Sequence, residues 1–314
     1  MNRFAEELKN AFNRPNNGLI RIILINLIVY AVLIVLRVIL NLSGAAEVFA
    51  LIMSQLMLPA DFTAFLYRPW TVVTYMFTHL DFFHILFNML FLYWFGQLIM
   101  DYLGSKKFVN IYVLGGLAGG VFYMLMYNLL PYYQEQVAAS VLLGASAGVS
   151  AIIIAAATLV PNHSFMLIFI GPVKIKYIAI FYVVFKSFAG LDGPNAGGEL
   201  AHLGGALIGY LYVQQLRSGN DIGKWISGLL DWIKNLFERK PKIRVSHKQS
   251  TYTGNKSTYT RTAERHRSAT STTTGSRTAV EQDEIDAILD KISAKGYESL
   301  SKEEKQKLFN ASKR

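Results

Sequence analysis

The sequence predicts an all-α polytopic membrane protein: six transmembrane helices in a bundle, then a short helical module on the cytoplasmic side. Three observations carry this expectation. Charged residues make up 17% of the chain and hydrophobic residues 52%, where an ordinary soluble domain has about a quarter charged. The charge is also unevenly spread: residues 1–216 hold 11 of the 31 Lys+Arg and 9 of the 21 Asp+Glu, and the remaining 20 and 12 fall in residues 217–314. Finally, apolar stretches near the ~20 residues that a bilayer-spanning helix needs recur along the first two-thirds. A soluble single domain is excluded. The absence of cysteine excludes a disulfide-stapled secreted module and zinc sites built on cysteine.

Six spans follow in order from the apolar runs. They are Ile22 to Leu42, interrupted by Arg37; Phe82 to about Leu103; about Phe108 to Leu130; Val141 to Val160; Tyr177 to Ala189; and Leu200 to Leu216. The fifth is short, and Phe165 to Ile170 either extends it or forms its own turn. Arg3, Lys9, Arg14 and Arg21 precede span one, Lys106 and Lys107 lie between spans two and three, and Lys174 and Lys176 between four and five. The opposite loops are poor in positive charge: Ser43 to Asp81 holds only Arg68, and Pro131 to Leu143 holds none. This bias places both termini in the cytoplasm. The long basic start, followed by a full span without a small-residue cleavage pattern, does not read as a cleavable signal peptide.

Five segments result: a cytoplasmic N-terminus at 1–21, a membrane domain at 22–216, an amphipathic helix at 217–238, a tether at 239–280 and a helical module at 281–314. In the third, Trp225, Ile226, Leu229, Leu230, Trp232, Ile233, Leu236 and Phe237 alternate with Lys224 and Lys234. That pattern fits a helix lying in the inner membrane interface, or one packed on other protein. The tether is rich in Ser, Thr, Lys and Arg and nearly free of aliphatic residues, a composition expected to stay disordered. Its basic charge fits an anionic membrane surface rather than nucleic acid. In the last segment Ile285, Ile288, Leu289 and Ile292 keep helical spacing, and Ser301 with Glu304 forms a capping-box pattern.

Polar residues inside spans are costly and mark function. His84 and Asn88 lie four apart near the head of span two. Ser146 lies near the head of span four, within Gly144-Ala145-Ser146-Ala147-Gly148. His202 opens span six, within Ala201-His202-Leu203-Gly204-Gly205, with Gly209 following. Even-numbered spans all descend from the outer face, so these four residues share one leaflet. A serine and a histidine at one depth supply a nucleophile and a general base; an asparagine and helix N-terminal amides supply an oxyanion site. From Ser146 to Val160 is 15 residues, about 22 Å of helix at 1.5 Å per residue, so Ser146 lies below the outer surface. The Gly144/Gly148 and Gly205/Gly209 pairs are small-xxx-small patterns that allow close helix approach, expected to bring His202 within reach of Ser146.

The His79-Leu-Asp-Phe-Phe-His84-Ile-Leu-Phe-Asn88 stretch, the Gly144-Ala145-Ser146 motif and the Ala201-His202-Leu203-Gly204-Gly205…Gly209 motif together resemble the rhomboid family of intramembrane serine proteases, over roughly residues 20–216. The resemblance implies a rhomboid-like six-helix fold in the bacterial cytoplasmic membrane, whose Ser146–His202 dyad hydrolyses single-span transmembrane substrates entering beside span five. It implies an oxyanion site at Asn88 and His84 with the Ser146 amide, and a structural role for His79. Two positions depart from the family pattern: Ala147 follows the serine where glycine is usual, and Thr71 follows Trp70 where arginine is usual. The first is expected to alter the oxyanion pocket, the second to loosen the first loop.

No metal or cofactor is needed for this chemistry, and no His-Glu-x-x-His pattern is present. Glu199, three residues before His202, is placed to orient it, but the preferred reading is a solvated loop carboxylate, since dyad enzymes of this kind do without a third member. The segment Gly190 to Gly198 reads as a cap above the dyad. Two other classes compete: a non-catalytic rhomboid-like binder of transmembrane helices in membrane-protein quality control, and a small-molecule transporter. The first would lack the Ser or the His, and the second would carry inverted repeats. The C-terminal module is left to bind a cytoplasmic partner.

Overall fold

In a computed structural model, residues 6, 10, 12, 14, 16–167, 170–237, 285–292 and 299–311 are described. The expected tether at 239–280 and most of the N-terminal segment lie outside the described residues. The chain divides into two compact units, Met1–Ile243 and Arg244–Arg314.

The first unit is mostly helical. Helix α1 (Gly18–Leu42) is followed by α2 (Ala46–Ser54), strand β1 (Leu58–Pro59), α3 (Phe62–Tyr67) and α4 (Thr71–Thr74). Helix α5 (Phe82–Leu129) is two rods broken at Gly104, where φ is 78° and ψ 173°. Then come β2 (Val141–Leu142), α6 (Ser146–Leu159), β3 (Ser164–Leu167), β4 (Gly171–Lys174) and α7 (Ile175–Phe181). A π-helical turn (Tyr182–Ser187) leads through a 3-10 turn (Phe188–Gly190) to α8 (Ala196–Arg217) and α9 (Lys224–Phe237).

Several expectations need correction. The fold is not purely helical. Strands β1 and β2 pair antiparallel, with Leu58 opposite Leu142. Strands β3 and β4 form a hairpin, so Phe165 belongs to a strand rather than to span five. The helix expected from Val141 starts at Ser146, because Gly144 at φ 115° breaks it. The helix expected from Leu200 starts earlier, at Ala196. Among the described residues, two helices are long and apolar enough to cross a membrane, Gly18–Leu42 and Phe82–Leu129. At 14 residues, α6 reaches only about 21 Å.

The core forms where the second rod of α5, α6 and α8 meet, and small residues set the approach. A Cβ at Gly119 would fall 2.5 Å from the Ala147 methyl, and one at Gly115 2.2 Å from the Ala151 methyl, so α5 and α6 run antiparallel. A Cβ at Gly205 would fall 2.1 Å from the Ala147 carbonyl oxygen, and one at Gly209 2.2 Å from that of Ala151. These two contacts keep the same offset, so α6 and α8 run parallel. Spans expected to descend together therefore do so relative to each other. Outside the core, α1 exposes Val32, Val35, Val38 and Ile39, an apolar surface that water does not favour and lipid does.

The stretch from Ser43 to Asp81, expected only as a loop, is ordered by backbone acceptors. Arg68 donates to the Ser54 carbonyl (2.6 Å), the Trp70 indole to that of Gln55 (2.9 Å) and Thr74 Oγ1 to that of Leu56 (2.8 Å). Thr71 Oγ1 donates to the Arg68 carbonyl (2.6 Å). Arg68, Trp70, Thr71 and Thr74 thus each tie this stretch to a backbone carbonyl.

At the other end, Asp221 joins three elements. Its carboxylate accepts from Lys107, from the Tyr212 hydroxyl (2.9 Å) and from the Gly223 amide (3.1 Å). Burial pushes its pKa up, but the hydrogen bonds from Lys107, Tyr212 and Gly223 outweigh this and hold it below the ordinary carboxylate value. Stability from this tie is therefore present above the unfolded pKa of about 3.9 and lost as pH falls through the lower folded value. Asp221→Asn is expected to destabilise the protein by about 1 kcal/mol at pH 7. Melts of detergent-solubilised protein should show that difference closing toward pH 3.

Helix α9 docks through Ile226, 3% exposed, and through Lys106–Asp231 at 2.8 Å. Its Trp225, Leu229, Trp232, Ile233 and Leu236 stay exposed. In the second unit, residues 285–292 are helical, and a helix spans Lys302–Ala311. The Glu304 amide donates to Ser301 Oγ (3.2 Å) and the Ser301 amide to Glu304 Oε2 (2.7 Å), closing the capping box that the sequence spacing predicts. Lys291 pairs with Glu304 at 2.8 Å.

Candidate active site

Ser146 is the first residue of α6, half-buried, behind the left-handed turn at Gly144. The first hydrogen bond of its helix runs from the Val149 amide to the Ala145 carbonyl (3.0 Å). The amides of Ser146, Ala147 and Gly148 precede that ladder. They are the N-terminal donors of a helix, pointing where negative charge is stabilised.

Two histidines fix the approach to this turn. The Ala145 amide donates to His79 Nε2 (3.2 Å), which requires that nitrogen to be unprotonated. The rings of His79 and His84 lie 5.1 Å apart, nearly edge to face. A Cβ at Gly144 would sit 2.7 Å from His84 Cε1, so only glycine lets the backbone come this close. The Asp81 carboxylate caps α5 through the His84 amide (2.7 Å). One turn on, buried Asn88 donates from Nδ2 to the His84 carbonyl (2.8 Å). The second N–H of that amide remains as a donor. A cavity of about 470 Å³ opens beside His84, lined also by Asp81, Leu142, Leu143, Asn195 and Gly198.

His202 lies in the second turn of α8 rather than at its opening, and is 5% exposed. The parallel register that sets Ala147 against Gly205 puts Ser146 level with Gly204, so serine and histidine lie within about one turn of each other. Among the described residues, no hydrogen bond joins the Ser146 hydroxyl to the His202 ring. Of the small-xxx-small pairs, Gly205 and Gly209 make the expected α6–α8 contact. Gly148 instead faces Tyr112, whose ring lies 2.8 Å from its Cβ position, and Gly144 serves the turn.

The surroundings of His202 differ from the sequence reading. Glu199 is not a solvated loop carboxylate: it is 3% exposed and its Oε2 lies 2.9 Å from His202 Nδ1. Gly197 and Gly198, expected in the cap segment, both lie in the first turn of α8. A Cβ at Gly197 would meet the Tyr123 ring at 2.8 Å. Tyr182, at the start of the π-helical turn, holds its ring 5.9 Å from that of His202. Its hydroxyl bonds Ser150 Oγ at 2.7 Å, and Ser150 donates to the Ser146 carbonyl at 2.7 Å. The segment expected as a cap is tied down, since the Tyr133 hydroxyl donates to the Leu191 carbonyl (2.7 Å). Ala147 packs its methyl toward Gly119, which accommodates the extra carbon beside the serine.

Two stretches of the chain match protein families. Residues 67–218 match the Rhomboid domain family. Residues 275–314 match DUF6576, a family of unknown function. A curated relative, the RHOMBOID-like protein 12, mitochondrial, of Arabidopsis thaliana, is 29% identical over 160 residues. The match covers 48% of this chain and 48% of that protein, so the chain spans about half the length of the curated relative it matches.

Proposed function

The chain carries a rhomboid domain over residues 67–218 in a mostly helical membrane protein, and from that premise we propose that it is an intramembrane serine endopeptidase that cleaves transmembrane proteins. The observation that carries the reading is the parallel register of α6 and α8. It sets Ser146, at a helix N-terminus, level with a histidine whose Nδ1 is held by a carboxylate.

In this mechanism Ser146 Oγ attacks the scissile carbonyl carbon while His202 Nε2 takes its proton. The tetrahedral oxyanion is held by the amides at the head of α6, with Asn88 and His84 beside them. The C–N bond then breaks, and the proton on His202 passes to the leaving amine. Water attacks the acyl-serine, giving its proton to His202, and the new carboxyl end leaves as Ser146 regains its hydrogen. His79, Gly144, Gly205 and Gly209 shape the site without touching substrate. The rods from α1 to α8 are read as six membrane crossings in the cytoplasmic membrane, with both termini cytoplasmic. The exposed apolar face of α9 lies in the inner interface, and the C-terminal module binds a cytoplasmic partner. Substrates are single-span proteins entering beside the π-helical turn.

A serine-directed fluorophosphonate with liposome-reconstituted protein tests this reading. Mass spectrometry should place the adduct on Ser146, and labelling should disappear in His202→Gln. The same liposomes should cut a generic single-span substrate. Substrate binding with neither adduct nor cleavage would replace the protease by a non-catalytic helix binder.

A further inference from the structure

The buried carboxylate of Glu199 has no part in a two-residue mechanism. Burying it is costly unless it is paired and hydrogen-bonded. Its surroundings are built for one orientation. Asn195 Nδ2 donates to Oε1 at 3.2 Å, and Oε2 lies 2.9 Å from His202 Nδ1. Behind it, Gly190 leaves room that no side chain could share, because a Cβ there would sit 2.8 Å from Glu199 Cγ and 3.2 Å from Cδ. Glu199 and His202 stand one turn apart on one face of α8.

We propose that Glu199 is a positioning residue for the general base, making the site a Ser146–His202–Glu199 triad. This rests on the protease reading above. An ionised carboxylate can only accept, so the proton of neutral His202 is kept on Nδ1 and the lone pair on Nε2, the nitrogen that must receive the Ser146 proton. When that proton arrives, the imidazolium forms beside a fixed negative charge. Asn195 holds the carboxylate from its other oxygen, so the pair cannot swing away.

Glu199→Gln, in the full-length protein in liposomes, keeps size and packing and removes the charge. The expected result is a kcat lowered about 10²-fold or more, with KM changed less than about threefold and a melting temperature close to wild type. Glu199→Asp should recover part of the rate. Independently of turnover, ¹⁵N NMR of the imidazoles in a Ser146→Ala background should give His202 as the Nδ1–H tautomer. That signal is assigned by its loss in Ser146→Ala/His202→Gln, and it should shift toward a mixture of tautomers in Ser146→Ala/Glu199→Gln. Wild-type kcat in Glu199→Gln together with an unchanged tautomer would overturn the triad while leaving the dyad standing. If Ser146→Ala cuts as fast as wild type, the protease reading itself fails; the NMR result then still decides whether Glu199 orients the ring.

Discussion

Ser146→Ala is expected to lower single-turnover cleavage of a single-span substrate by on the order of 10⁴-fold or more, with almost no change in stability. The hydroxyl is half-buried and makes no hydrogen bond among the described residues, so its removal leaves no orphaned partner. His202→Ala should lose as much rate but also fold less stably. It removes the Nδ1 hydrogen bond to the Glu199 carboxylate, which is 3% exposed, and losing one partner of a buried hydrogen bond costs about 1–3 kcal/mol. His202→Gln, which can still donate, is the cleaner variant. Because the two groups act as one unit, the double variant Ser146→Ala/His202→Gln should be hardly slower than either single one. Rates that multiply would mean that the residues act independently, against the proposed proton transfer.

Ser146 and His202 stand out in the sequence because intramembrane polar residues are rare and each carries a cost. The parallel relation of α6 and α8 was legible from helix counting and charge bias alone. Other features were not. The burial of Glu199 was one: its place three residues before His202 suggests a group that orients the ring, but Gly197 and Gly198 argue for a solvated loop. In the fold both lie in the first turn of α8, where the Tyr123 ring fills the space a side chain at 197 would need and the Asn195 side chain fills that at 198. The start of α6 at Ser146 depends on a positive φ at Gly144, against which the His84 ring packs from a long way back in the chain. Tyr182 carries no local signal either, since an apolar run with two tyrosines, Tyr177 and Tyr182, does not say which way either ring turns. In general, periodicity shows which residues share a helix, whereas contacts between distant elements decide which of them meet.

Gly205→Ala is expected to have the next largest effect, and it bears on that distinction. Its added methyl would fall 2.1 Å from the Ala147 carbonyl oxygen, 2.9 Å from its carbon and 3.3 Å from its Cα, all backbone atoms that no rotamer change can move. Helices α6 and α8 must separate, and overpacking of this kind costs about 1–3 kcal/mol. Ser146 is on α6 and His202 on α8, so the separation also enters the proton-transfer distance, where a 1 Å misplacement can cost about 10²-fold. Gly209→Ala makes an equally close clash, 2.2 Å from the Ala151 carbonyl oxygen, but one turn farther from the histidine. The two variants should therefore melt at similarly lowered temperatures, while cleavage falls more in Gly205→Ala. Gly228→Ala, where nothing lies within 4 Å, serves as the control and should be neutral or slightly stabilising, since alanine outranks glycine inside a helix. Equal cleavage losses in the Gly205 and Gly209 variants would mean that activity follows global stability rather than the local spacing of the two helices.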